Sequence, residues 1–185
     1  MHGISRSFQS LELFDDLTIE ENLAVASQHG RWRYLTDLVR PGKIRLNPAG
    51  QAAVHSFHLG SQLQAQTSSV SFGQRKIVAI ARSVASSPSI LLLDEPAAGM
   101  DDAEARELGK VIRRLADEWG IGVLFVEHKV DLIMSISDRV TVLDGGAVLA
   151  TGTPDEIMAH AEVLDAYLGA DADHRETPVG GPATR

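Results

Sequence analysis

Residues 89–102 read SILLLDEPAAGMDD. Four apolar residues, Ile90 to Leu93, run into the carboxylates Asp94 and Glu95, and Pro96 ends the run. A short continuous apolar stretch bounded by turn residues predicts a strand, here Ser89–Leu93. A second such stretch, IGVLFVEH, occupies 121–128. Between them an amphipathic helix is predicted from about Asp102. Leu108, Val111, Ile112, Leu115 and Trp119 form its apolar face, and acids occupy its first turn, where the helix dipole favours them. Upstream, SFGQRKIVAIARSVASSP over 71–88 places Ile77, Ile80, Ala81 and Val84 at i, i+3, i+4 and i+7, one helical stripe, with Pro88 just past its end. Strands that are apolar throughout and alternate with helices predict an α/β fold with a parallel sheet covered on both faces. In such sheets ligands sit beyond the carboxyl ends of the strands, which is where Asp94, Glu95 and His128 fall.

The flanking sequence fills in the organisation. Thr18 and Glu21 form a capping box that starts a helix near Ile19. Residues 30–66 carry Pro41-Gly42 and Asn47-Pro48 breaks and are read as several short helices. KVDLIMSIS (129–137) is a short helix. RVTVLD and AVLAT, joined through Asp144-Gly145-Gly146, form a hairpin. A second capping box, Thr153 to Glu156, opens the C-terminal helices. The tail after Gly169 has almost no large apolar residue and is expected to be disordered.

Composition sets outer limits. The 185 residues are 44% apolar, carry a formal net charge of −8 and include no cysteine. Thiolate metal sites and disulfides are thereby excluded, and a reducing cytoplasm is expected. The acid excess opposes nucleic-acid binding, which needs clustered cations. Arg31, Arg33, Arg40, Lys43 and Arg45 form the main basic group and are read as solvated surface. No apolar run approaches the roughly 20 residues that cross a bilayer. His55 and His58 share i,i+3 spacing without a third ligand and are read as surface or packing residues.

An apolar strand ending in Asp is a means of holding magnesium beside a nucleotide, with the next Glu placed to orient a water; an isolated Asp-Glu could as well cap a helix. The pair is not isolated. SVSFGQ (69–74) precedes it, GMDD (99–102) follows, His128 ends the next strand, and SFQ (7–9) lies far ahead. In this order and spacing the chain resembles the ATP-binding subunit of ABC transporters over residues 3 to about 168. The resemblance implies a P-loop NTPase-like, mostly parallel sheet flanked by helices, with an inserted helical subdomain and with N-terminal strands missing. It implies a helical subdomain over about 10–70, a catalytic core over about 71–152 and C-terminal helices over about 153–168. Ser71, Phe72, Gly73 and Gln74 then match the signature that contacts the opposing subunit's ATP. Asp94 matches the magnesium-holding Walker B acid, Glu95 the general base, Asp101 the D-loop and His128 the switch histidine that meets the γ-phosphate. Gln9 matches the Q-loop glutamine, which contacts metal or water. No strand is read ahead of Gln9. The segments SFQSLELFDDLTIEENLAVA, LLLDEPAAGM, ISDRVTVLDGGAVLATGTPDEI and VLDAYLG are similar to those of branched-chain amino-acid importers. Cofactors ATP and Mg2+ are implied. So are permease subunits, a second ATP-binding subunit, indirectly a substrate-binding protein, and a peripheral position on the inner membrane face.

One element of that family is absent from the sequence. The phosphate loop needs G-x-x-x-x-G-K-[S/T], and the four lysines stand at 43, 76, 110 and 129. Lys43 and Lys110 follow glycines, but Ile44 and Val111 come next, and Asp37 and Glu104 occupy the first glycine's position. Lys76 and Lys129 follow Arg75 and His128. Two expectations compete: a fragment, split gene or late start of an ordinary ATPase, which the retained acids favour, or a naturally reduced protein. By function the competitors are an energy-coupling ATPase and a non-catalytic module that binds the permease or a partner subunit. A DNA-repair or chromosome ATPase fits poorly, given the acid excess and the lack of heptad arms.

Overall fold

A computed structural model describes residues 3–7, 13–27 and 45–166. The chain divides into two compact units, 1–132 and 133–185. In the first, strands β1 (Ile4–Ser7), β2 (Ile90–Asp94) and β3 (Gly122–Val126) form a parallel sheet in the order β1-β2-β3. Helices α1 (Ile19–Ser27), α2 (Pro48–Ser56), α3 (Phe72–Ala85) and α4 (Asp102–Asp117) complete it.

The helices begin where their caps dictate. Glu21 N donates to Thr18 Oγ1 at 3.2 Å and Thr18 N to Glu21 Oε2 at 2.8 Å, so the predicted box starts α1. Asn47 caps α2 by accepting from Gly50 N, and its amide donates to Ala85 O at 2.9 Å, tying α2 to the end of α3. Buried Asn22 anchors the loop ahead of α1 by accepting from Phe14 N and donating to Phe14 O, each at 3.0 Å. α3 packs against α1, α2 and β1 through Val78, Ile80, Ala81, Val84 and Ala85, all buried. Ile77, expected in that stripe, is only half-buried, because Lys76 takes the inward position instead. α4 packs on β3 with Ala105, Leu108, Gly109, Ile112 and Leu115 inward. Trp119 lies beyond its end, and Val111 is half-buried.

Two expectations about the sheet need correction. A strand does precede Gln9: β1 pairs in register with β2, Ile4 opposite Ile90 through Ser7 opposite Leu93. Four residues reading Ile-Ser-Arg-Ser are too short and polar to announce themselves, and the open edge of β2 recruits them. Nor is the sheet covered on both faces among the described residues. Leu91 and Leu93 are buried, yet Leu124 is 65% and Val126 61% exposed, with Ile4 and Ile90 exposed beside them. Alternate residues of a strand face opposite ways, so one face is packed and the other shows an apolar stripe.

The second unit is built from the hairpin β4 (Val140–Asp144) and β5 (Ala147–Gly152), with α6 (Pro154–Met158) packed on β5. Helix α5 (Val130–Ile136) spans the division between the units. Gly145 and Gly146 have φ of 54° and 84°, the left-handed pair that a tight hairpin turn requires. Val140, Val142, Ala150, Ile157 and Val163 form its core. The Thr153–Glu156 box caps α6 as expected. No described helix is long and apolar enough to cross a membrane. Gln9, Arg31, Arg33, Arg40, Lys43 and the tail after Gly169 lie outside the described residues; His55 and His58 are exposed.

Candidate functional site

The acids that end β2 sit at the C-terminal edge of the sheet. Asp94 pairs with Val126 in the ladder and is half-buried. Glu95 extends the ladder by one bond, its N–H donating to Val126 O at 2.9 Å. The backbone then leaves the strand abruptly, with Glu95 at φ 45°. A non-glycine residue in this left-handed region costs about 1–3 kcal/mol and persists only where its surroundings over-determine it.

They do so here. The Glu95 carbonyl accepts from Ala98 N at 3.2 Å and from Lys76 Nζ at 2.9 Å. Lys76 is only 7% exposed. Burial pulls its ammonium pKa below the usual lysine value, while the carboxylates of Glu127 and Glu95 partly offset that. Two residues on, the turn is pinned again: Ala97 N donates to Glu127 Oε1 at 2.7 Å. The Glu127 side chain is 0% exposed, and its other oxygen accepts from His128 N at 3.1 Å. Lys129 continues the stitching with bonds to Met100 O at 2.9 Å and Asp102 Oδ1 at 3.2 Å.

The turn after Pro96 leads directly into α4. Asp101 is its N-cap, accepting from Glu104 N at 2.8 Å, while Asp101 N donates to Glu104 Oε2. The start of α3 stands close by. Ser71 caps α3 by accepting from Gln74 N at 3.2 Å, so its hydroxyl proton can still be donated outward. The exposed ring of Phe72 lies against Gly99: a Cβ there would come within 3.3 Å of Phe72 Cε1, and Gly99 has φ +77°. Alanine at 99 would meet both a steric and a backbone penalty. Lys76 Nζ lies 5.6 Å from the Phe72 ring centroid, within cation–π range.

Asp94, Glu95 and Asp101 thus share one chain segment, His128 lies two residues past the end of the neighbouring strand β3, and Phe72 approaches the segment at Gly99. His128 is 67% exposed, and its Nδ1 is 3.9 Å from Glu127 Oε2, too far for a hydrogen bond. Gln9 lies outside the described residues. Lys76, Glu127 and Lys129 were not anticipated. A signal for Glu127 stood in the sequence as an acid directly between an apolar strand and the singled-out histidine. For Lys76 the signal was a lysine flanking the apolar stripe of a helix.

A model of the ABC transporter family matches residues 1–98, and one of the branched-chain amino acid ATP-binding cassette transporter matches 147–173. The chain is 37% identical over 173 residues to the high-affinity branched-chain amino acid transport ATP-binding protein BraF of Pseudomonas aeruginosa, covering 90% of this chain and 68% of BraF. This chain belongs to the ABC transporter family. LivG of Escherichia coli K12, named likewise, is 36% identical over 174 residues, with the same coverage of 90% and 68%. Within the family the chain therefore groups with the branched-chain amino-acid ATP-binding cassettes, and by family it is an ATPase of ABC type. Solved ABC cassettes share its fold. One, titled as an ADP conformation, superposes with TM-score 0.71 at 23% identity over 90% of this chain and 68% of its own. A nucleotide-free cassette gives 0.69 at 22% identity over 89% and 68%.

Proposed function

We propose that this chain is the ATP-driven motor subunit of an importer for branched-chain amino acids, acting on permease subunits at the inner membrane face. A second ATP-binding subunit would complete the dimer, and a substrate-binding protein would deliver cargo indirectly. The single observation that carries this reading is the over-determined strand end. A left-handed backbone at the half-buried Glu95 is held by Lys76, Ala98 and Val126 at the sheet's C-terminal edge.

In this reading ATP lies between the α3 start of one subunit and the acidic strand end of its mate. Ser71 donates its hydroxyl proton, and the first N–H groups of α3, those of Phe72 and Gly73, point at phosphate under the helix dipole. Glu95 takes a proton from the attacking water, and exposed His128 donates to the γ-phosphate. Asp94 suits Mg2+, which prefers one or two carboxylates, retained waters and phosphate oxygens; Gln9 would add a contact from the Q-loop. The ion would neutralise charge on the triphosphate. Asp101 holds the turn after Glu95 to α4.

A second reading, a non-catalytic module that binds the permease, is favoured by one observation. No G-x-x-x-x-G-K-[S/T] occurs in the 185 residues. The exposed apolar stripe of Leu124 and Val126 is a surface on which further sheet or helix from another chain could pack, and a separate piece carrying the phosphate loop could complement the site. The full chain, alone and reconstituted with permease, separates the readings. The motor reading expects turnover above background that falls on the order of 10²–10⁴-fold in Glu95→Gln, with ATP binding retained. Permease binding with background turnover in both proteins supports the module. Turnover that is equal and above background in both removes Glu95 from the chemistry.

A further inference from the structure

We propose that Lys76 is a positioning residue for Glu95: from the inner face of the signature helix it holds the Glu95 carbonyl, with the buried side chain of Glu127 holding the same turn at Ala97 N. The inference rests on the catalytic role proposed for Glu95 and adds to it the residues that set its aim.

A lysine is an expensive choice for this position. Its neighbours on the inner face of α3, Val78, Ile80 and Ala81, are buried apolar residues, and a buried ammonium loses hydration that only close polar partners can replace. Packing alone would therefore be better served by leucine or methionine. What the ammonium supplies is a directed bond of 2.9 Å to a carbonyl that has turned out of the β-ladder. Glu127 supplies the opposing charge nearby and accepts from Ala97 N at 2.7 Å. Residues 95–97 are thus held by a cation at the Glu95 carbonyl and by an anion at the Ala97 N–H. The first of these bonds falls on the residue whose φ of 45° a glutamate rarely adopts.

The grip also joins the two parts of the site. Lys76 is one helical turn after Phe72, and the Phe72 ring touches both its ammonium and the Gly99 backbone. Any displacement of the α3 start therefore reaches the Glu95 carbonyl through one side chain. Lys76 is thereby a polar link between Phe72 in the signature segment and the Glu95 backbone.

Two variants of the full chain test this. In Lys76→Met, which keeps length and apolar bulk, amide exchange at Ala98 and Ala97 should accelerate about tenfold, because a charge-assisted bond that restrains the turn is gone. Exchange in α1 and α2 should stay unchanged. Turnover should show kcat reduced about tenfold with KM within about twofold, and Lys76→Arg should recover most of both. Unaltered exchange at 97–98 in Lys76→Met would overturn the proposal. So would acceleration spread evenly over the chain with no recovery in Lys76→Arg, since that describes a folding defect. Should the unaltered protein show no turnover under any condition, the motor reading fails. The exchange measurement then still decides whether Lys76 holds the turn.

Discussion

Segments 94–97 and 126–129 begin alike. Each follows an apolar strand, the strands are neighbours, and each carries a glutamate at the sheet's C-terminal edge. Their surroundings differ. Glu127 turns inward, its side chain fully buried, and accepts from the backbone N–H groups of Ala97 and His128. At Glu95 the backbone is fixed, its N–H by Val126 and its carbonyl by Lys76 and Ala98, and the residue keeps contact with solvent. An acid at a strand end is thus not defined by its type or its distance from the strand; burial and main-chain partners distinguish the two.

The strands behind the two segments differ in the same direction, and this yields the largest expected effect. Leu91 is fully buried in β2, so Leu91→Ala should cost about 2–5 kcal/mol. Leu124→Ala in β3, at a position 65% exposed, should stay within about 0.5 kcal/mol. Chemical denaturation of both variants checks it, and equal losses would mean that the exposed stripe is covered in solution.

Next in size is the contrast between the two acids themselves. Glu127→Ala orphans the Ala97 N–H and should lose about 1–3 kcal/mol. Glu95→Gly removes the strain of a left-handed glutamate and should leave stability between unchanged and about 1 kcal/mol higher, the unfolded chain's extra freedom offsetting part of the gain. A destabilised Glu95→Gly beside an unaffected Glu127→Ala would invert the assignment of roles.

The smallest effect concerns an acid whose part is purely local. Glu156 accepts from the Thr153 backbone N–H, which holds its carboxyl below the ordinary value of 4.5; the Thr153 hydroxyl adds to the shift. A depressed carboxyl contributes stability above its unfolded pKa and loses it as pH falls through the lower folded value. Thermal melts should therefore show a shallow loss beginning as pH drops below about 4.5, and Glu156→Gln should flatten it. The same loss in both proteins would assign it to other carboxylates.

Much of the molecule was legible before any coordinates. Both capping boxes, the start of α4 near Asp102, the glycine-turned hairpin and the strand ending in Asp94 depend on neighbours within a few residues, and local chemistry decides them. The placement of Ser71, Asp94, Glu95, Asp101 and His128 at or just past element ends was legible for the same reason. What escaped reading depends on distant partners. β1 exists because the edge of β2 accepts it; its own four residues carry no strand signal. Trp119 falls outside the face of α4 because the helix stops at Asp117.

By itself, then, the chain's sequence determined where its capped helices and its hairpin begin and which acids stand at the sheet's carboxyl edge. Hydrophobic period, capping and turn preference act over a handful of residues. Only the tertiary structure decided which glutamate side chain is fully buried, why a lysine is buried in α3, and which face of β3 stays open. Those outcomes turn on hydrogen bonds between residues 19 to 30 positions apart, such as Lys76 to Glu95 and Ala97 to Glu127. No local pattern specifies such a bond; folding creates it by bringing a donor to a carbonyl or carboxylate that water no longer reaches.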